Sequence, residues 1–431
     1  MKASPAKCKI AYLVKTFPKI SETFILREIL ALENDGVELE IFALRRPAES
    51  KTHAIASQVR AKVNYVPSRF VERPLALIWA QLVLLLFHPI RHLRALRFIL
   101  RRRESARFKD FMQAGYLARL LQRAKLPHLH VHFINKPAGV AEIVRLLIGM
   151  PYSVTAHAKD IYLSPERELA RKIATAKFVV TCTDHNRQFL QRIAAGAAPI
   201  VKIYHGLDLR LFRQNGAPGE RAEAPLILSI GRLREKKGFP CLLDACRLLK
   251  IGGHRFRCVI VGYGPMRAAL ERRITELNLE GDVSLSGMLT LDEVIGLYRQ
   301  ATLFVLPCQV TEDGDRDGIP NVLAEAMAME LPVVSTDVSG IPELIQHMKD
   351  GLLVRPEDPT ALAAVIMRLL DQPGLRRELG RAAREKVCRL FSAEHNAAQL
   401  KTLFFGAVGE RADALVAPKT ISPRHAAETG R

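Results

Sequence analysis

The chain has 431 residues, 48% hydrophobic and 25% charged, with 64 Lys and Arg against 44 Asp and Glu. That length exceeds one ordinary hydrophobic core and predicts two domains, while the apolar content excludes a disordered chain. The formal net charge of +20 points to an anionic partner, whether nucleic acid, lipid surface or phosphorylated ligand.

In chain order, "KIAYLV" is a short apolar run suited to a buried strand, and a helix follows from near Ser21 and Glu22 to Gly36, a glycine suited to a left-handed cap. "VELEIFAL" is a second strand. The run "LALIWAQLVLLLF" at 75–87 is thirteen residues long. A membrane span needs roughly 20, so a core or interfacial helix is expected. No secretory signal is expected from "MKASPAKCKIAYLV". Between His88 and Lys125, eleven Arg or Lys stand against Glu104 and Asp110, with Leu93, Leu96, Phe98, Leu100, Phe108 and Phe111 interleaved. Such a basic amphipathic segment, about 71–125, suits an anionic bilayer surface; RNA is the rival, and no aromatic platform supports it. No nucleic-acid partner is expected.

"HLHVHF", "YSVTAHA", "FVVTCT" and "IVKIYHG" are further strands, each beside a helical segment. His128, His130 and His132 share one face if the first of these is a strand, and read either as core histidines or as a zinc array. The segment 213–225, rich in Gly, Pro and Ala, is expected to be a linker between a first domain (1–212) and a second (226–390). The alternation then restarts with "LILSIG", "RCVIVGYG", "VSLSG", "TLFVLP", "PVVSTD" and "GLLV". Continuous apolar runs indicate strands covered on both faces, so the expected fold class is α/β, two doubly wound Rossmann-like domains facing across a cleft. Residues 391–408 are expected to return to the first domain as a helix, and 409–431 to form a frayed tail. The seven cysteines are odd in number and lack C-x-x-C spacing, which argues against a disulfide framework or a zinc cage and for reduced thiols in a cytosol.

Motifs cluster at predicted strand ends. "SIGRLREKKG" sets Gly231, Arg232 and Lys237 after a strand, where two cations suit a diphosphate; a solvated basic turn is the alternative. "VGYGPM" offers Gly262 and Gly264, half of a dinucleotide fingerprint or a close-packed turn without ligand. In "DGIPNVLAEAMA", Pro320 fits the first helical position, so the following N–H groups form an anion or hydroxyl site. Asp317 precedes that helix and Glu325 lies more than one turn inside it, a spacing suited to two parts of one ligand; the alternative is an aspartate that only favours the helix start and an exposed glutamate.

Together with S-G-I-P-E, "FPKISETFILREI", "TAHAKDIY" and "VTCTDHNRQFL", these motifs resemble the retaining glycosyltransferases of family 4, with the GT-B fold, and within them the colanic-acid and exopolysaccharide type. The resemblance spans roughly residues 9–407. It implies that Arg232 and Lys237 bind the donor diphosphate and that Glu325 holds the ribose. Asp317 and the backbone from Gly318 through Ile319 and Pro320 to Asn321 would touch the donor sugar and phosphates, and Met288 the base. His157 would stand beside the reacting sugar, with Ser21, Glu22, Thr23 and Asp160 on the acceptor side. Where the family has glutamate this chain has Asp317, which leaves sugar choice open. The implied partners are a nucleotide-diphosphate sugar, a lipid-linked saccharide acceptor and an anionic membrane surface; no cofactor or metal is expected. The rival functions are sugar-nucleotide epimerisation or hydrolysis on the same fold, and an idle membrane-associated scaffold. The expected location is cytoplasmic, at the inner face of the cell membrane.

Overall fold

The computed structural model describes residues 9–19, 22–47, 54–102, 107–213 and 224–408. Ser21, Cys8, most of the expected linker and the 409–431 segment lie outside these residues.

The first unit holds seven strands: β1 (Lys9–Val14), β2 (Glu38–Ala43), β3 (Lys62–Tyr65), β4 (Leu129–His132), β5 (Tyr152–Ala156), β6 (Val179–Thr181) and β7 (Ile200–Lys202). All pair in parallel, in the order β3-β2-β1-β4-β5-β6-β7. Its helices are α1 (Thr23–Asn34), α2 (Pro74–Phe87), α3 (Pro89–Arg101), α4 (Arg107–Ala124), α5 (Lys136–Ile148), α6 (Ala158–Tyr162), α7 (Glu166–Thr175) and α8 (Asp184–Ala194). The second unit holds β8 (Leu226–Ile230), β9 (Arg257–Val261), β10 (Val283–Gly287), β11 (Leu303–Leu306), β12 (Val333–Thr336) and β13 (Leu352–Val354), also parallel, in the order β10-β9-β8-β11-β12-β13. Helices α9 (Phe239–Ile251), α10 (Arg267–Glu276), α11 (Leu291–Gln300), α12 (Asn321–Ala328), α13 (Ile341–Leu344), α14 (Pro359–Asp371) and α15 (Pro373–Leu390) cover it. The chain ends its described part in α16 (Ala393–Val408).

Apolar patterning explains most of this. Every residue of β5, β8 and β11 is buried, as expected of strands with helices on both faces. Strand β3, "KVNY", adds to the expected strands: partly exposed at the edge and carrying Lys62 and Asn64, it has no apolar run to betray it in the sequence. Helix α16 buries Ala397, Leu400, Leu403 and Phe404 against Ile10, Tyr12, Ile25 and Ile29 of the first unit. The backbone therefore crosses between the units twice, side by side: Leu207 N–H donates to Phe391 O (2.7 Å) and Ala393 N–H to Leu207 O (3.0 Å).

The 71–125 segment is only partly a surface. Helix α4 belongs to the core, with Phe111, Ala114, Leu117 and Leu121 buried, and Leu96 and Phe98 of α3 pack on the same cluster. Of the interleaved residues, Leu93, Leu100 and Phe108 remain exposed. Helix α2 buries Leu77, Ala80 and Leu84 and exposes Leu75, Ile78, Trp79, Leu82, Leu85 and Leu86 on its other side. An apolar stripe at helical spacing is thus left facing outward. Among the described residues no helix is long and apolar enough to cross a membrane.

Candidate active site

In an open parallel sheet, adjacent loops diverge where the strand order reverses, which opens a crevice beyond the carboxyl ends of the strands. The reversals fall between β1 and β4 in the first sheet and between β8 and β11 in the second. Arg232 and Lys237 follow β8, the 307–320 loop follows β11, and the turn leading into α1 follows β1.

Lys237 Nζ meets Asp317 Oδ2 at 2.6 Å, and Lys236 Nζ meets Asp317 Oδ1 at 3.2 Å and Asp315 Oδ1 at 2.9 Å. Burial would lower the Lys237 pKa, but Asp317 more than reverses this, so the amine stays an ammonium. Arg232 is exposed and close enough for its charge to be felt at Lys237. The stem of Lys237 lies over Gly231, where an added Cβ would come within 3.3 Å of Lys237 Cε. Gly262 and Gly264 are explained by packing: a Cβ on Gly262 would sit 1.8 Å from Gly231 O, and one on Gly264 2.4 Å from Leu233 O. Their turn therefore buttresses the Gly231–Leu233 backbone. Met288, just past β10, is half exposed.

Burial raises the Asp317 carboxyl and Lys237 and Lys236 more than offset it, leaving its pKa at about 2. An unfolded aspartate titrates near ~3.9. The folded value is depressed, so the stabilisation is present above pH ~4 and is lost as pH falls through about 2. With the side chain one-fifth exposed, the loss is about 2 kcal/mol. Urea unfolding at pH 5 and pH 2.5 is expected to show it, and Asp317→Asn to remove that part of the pH dependence.

Pro320 is the N-cap of α12, one residue before the position predicted for it. Asn321 opens the helix with its side chain close enough to His205 of the first unit to be felt there. Gly318 is packed near Cys182 Sγ and Thr183 Cγ2, and Arg316 stacks over Tyr162 of α6 at 4.3 Å. Ile319, between these contacts, is partly buried against the second core. The 316–321 loop thus faces α6 and α8 across the cleft.

On the opposite wall, His157 is the N-cap of α6 and is buried. Its N–H donates to Asp160 Oδ1 at 2.9 Å, and Ile134 N–H donates to Asp160 Oδ2. Burial outweighs those two donors and lifts the Asp160 pKa to about 7. Burial, with His205 and His132 adding to it, keeps His157 neutral by lowering its pKa well below the usual value. Phe24, in the first turn of α1 next to Thr23, stacks on His205 (4.4 Å between centroids) and packs on His157 (4.9 Å). Glu22 stands at the N-cap position of that helix without a side-chain capping bond, one oxygen on Lys19 and its Oε2 buried without a hydrogen-bond partner among the described residues.

Glu325 is where the structure adds most. Its Oε1 accepts from Arg27 Nη1 of α1 at 3.0 Å and its Oε2 from the Tyr298 hydroxyl at 3.2 Å, both acidic and basic side chains being buried. A second tie crosses the cleft. Glu343 of S-G-I-P-E accepts the N–H groups of Asp184 (2.8 Å) and His185 (2.9 Å), satisfying the first turn of α8 from across the cleft. Only its proline-and-glutamate setting at a helix start could have hinted at this.

His130 and His132 on β4, and His128 just before it, are fully buried. His130 bonds Ser153 (2.8 Å) and Thr155 (2.9 Å) through its two nitrogens, and His128 bonds Ser153 (2.7 Å). Glu28 of α1 joins His130 and His132 in a group whose ligand atoms lie within 4.8 Å, the one such trio among the described residues that could hold a metal.

The family description "Glycosyl transferases group 1" matches residues 213–386. WcaL of Salmonella typhimurium, whose name assigns it to colanic acid biosynthesis as a glycosyltransferase, is 32% identical over 92% of this chain and 99% of its own length. The amylovoran biosynthesis glycosyltransferase AmsK of Erwinia amylovora is 30% identical over 84% and 90%. Among solved structures, HepE from Anabaena, determined with UDP and glucose, superposes with a TM-score of 0.70 at 17% identity, covering 92% of this chain and 99% of that one. Sucrose-phosphate synthase from Thermosynechococcus elongatus gives 0.71 at 20% identity, covering 92% and 98%. These likenesses show the GT-B architecture, and the sequence relatives show the activity class. A chain with this doubly wound pair and these relatives belongs to the group 1 glycosyltransferases and is a sugar-transferring enzyme.

Proposed function

We propose that this enzyme moves a sugar from a nucleoside-diphosphate donor onto a lipid-linked saccharide during exopolysaccharide assembly, with retention at the anomeric carbon. The observation that carries it is the placement of the Lys237 ammonium and the amino end of α12 at one sheet edge, opposite His157. In this reading the bond from the anomeric carbon to the diphosphate oxygen breaks and its electron pair leaves with the diphosphate. The acceptor hydroxyl attacks from the same face and passes its proton to that departing oxygen. Lys237 and Arg232 neutralise the charge that develops, which is where catalysis gains most. Asp317 holds the ammonium in place and faces the donor sugar, while Gly231, Gly262 and Gly264 shape the wall beneath. Met288 borders the base, and Glu22, Thr23 and Asp160 the acceptor. The reaction needs no metal on this reading. Glu325 reaches the ribose only after Arg27 releases it, which ties donor entry to a shift between the two units. The test is a thermal-shift screen of UDP- and GDP-sugars: one is expected to stabilise the enzyme, and Lys237→Ala to abolish the shift. Donor consumption at full rate without any saccharide acceptor would favour hydrolysis or epimerisation instead.

The partner at the surface is, in this proposal, an anionic bilayer on the cytoplasmic side. The outward stripe of α2 supplies the apolar face, and Arg91, Arg94, Arg97 and Arg101 of α3 the charge beside it. Flotation with phosphatidylglycerol vesicles is expected, salt-sensitive and absent with phosphatidylcholine alone. Leu82→Glu with Leu86→Glu is expected to leave the protein at the bottom of the gradient; equal flotation of this variant would sink the assignment.

A further inference from the structure

Behind His157 stands a hydrogen-bonded line that the transfer reaction, as described, does not use. We propose that Glu28 and His132 are positioning residues for sugar transfer: Glu28 fixes the ring of His132, and His132 fixes the ring of His157 at the cleft. The inference rests on the reading that His157 stands beside the reacting sugar.

The line is built from separate elements. His132 Nε2 lies 3.0 Å from Glu28 Oε1 and 2.9 Å from the Tyr12 hydroxyl, which also bonds Glu28. His132 Nδ1 lies 3.2 Å from His157 Nε2. Glu28 comes from α1, Tyr12 from β1, His132 from β4 and His157 from the turn after β5, so no local motif forces them together. Phe24 and Phe133 hold the His157 ring from its sides, with centroids at 4.9 Å and 4.6 Å. His130 stands outside the line, since both its nitrogens are taken by Ser153 and Thr155.

The direction of the bonds follows from what each group can do. Burial would raise the Glu28 pKa, but His132 and the Tyr12 hydroxyl hold it below the usual carboxylate value. An ionised carboxylate only accepts, so His132 Nε2 carries a proton. Where His132 carries that single proton its other nitrogen accepts, and His157 turns Nε2–H toward it, leaving His157 Nδ1 unprotonated; a ring with both nitrogens protonated would donate at each and reverse this bond. Outer partners of this kind select the tautomer and orientation of the inner ring. A glutamine at position 28 both donates and accepts, and so selects neither.

Full-length enzyme carrying Glu28→Gln is expected to lose about 10- to 100-fold in kcat while KM for the donor and the affinity for UDP or GDP stay at wild-type values. Glu28→Asp, which keeps an acceptor-only group, is expected to recover part of the loss. Nitrogen-15 imidazole spectra of the wild-type protein give a check independent of that variant's folding: His157 is expected as the Nε2–H tautomer, and a ring protonated on Nδ1 overturns the proposal. Wild-type kcat in Glu28→Gln, alongside an inactive His157→Gln, overturns it and leaves the site reading intact. Full activity in His157→Gln sinks the site reading itself. Activity lost to a chelator and restored by zinc would make Glu28, His130 and His132 a metal site and overturn the positioning role.

Discussion

Replacing Lys237 by alanine is expected to cut kcat/KM by about 10²- to 10³-fold and to weaken binding of UDP or GDP, with part of the Asp317 stabilisation lost and the rest kept by Lys236. The reason is local. Lys237 lies 2.6 Å from Asp317 and is held protonated there, so its ammonium is in place before the diphosphate arrives and needs no reorganisation as charge develops. Removing it does not strand Asp317, because Lys236 still reaches that carboxylate at 3.2 Å. Loss of function is thereby separable from loss of fold. Arginine at 237 is expected to recover only part of the rate: the lysine stem runs against Gly231, and a planar guanidinium is a poor substitute for a compact ammonium there. Unchanged UDP affinity and turnover in Lys237→Ala would remove the diphosphate from this edge of the sheet.

The second large effect is expected at Arg27. Arg27→Ala leaves the Glu325 carboxylate buried with the Tyr298 hydroxyl as its remaining hydrogen-bond partner, and breaking a buried pair from one side costs about 3–5 kcal/mol. The side chain also covers the Phe212 ring at 5.4 Å, so packing is lost with the charge. Arg27→Met combined with Glu325→Leu is expected to regain most of the stability, because no charge then stays buried. Urea unfolding of the single and double variants decides it, and an Arg27→Ala midpoint equal to wild type would show that the pair is not a tie. Because Arg27 and Glu325 belong to different units, the same variant is also expected to free Glu325 for the ribose and to leave nucleotide affinity undiminished.

Much of this molecule is legible in its residue order because the forces that set its strands and loops are local. Runs such as "LILSI" and "LFVL" are apolar throughout, which is what a strand covered on both faces requires, and the glycines and cations fall at their carboxyl ends, where the loops of a parallel sheet must open. Patterning failed where its premise failed. Strand β3 is polar and at an edge, and Phe111 sits in a basic stretch yet points into the core, since α4 is the inner layer of a crossover rather than a surface helix.

Residue order by itself therefore determined the two doubly wound units, the switch-point loops carrying Arg232, Lys237 and Asp317, and the family resemblance those motifs bear. Only the tertiary structure decided that Glu325 is gripped by Arg27, that Glu343 satisfies the start of α8, and that Glu28, Tyr12, His132 and His157 form one line. The physical reason is range. Strand and loop signals come from neighbours a few residues apart, whereas a buried carboxylate takes whichever donor the packing of two units brings to it, here from 298 residues away.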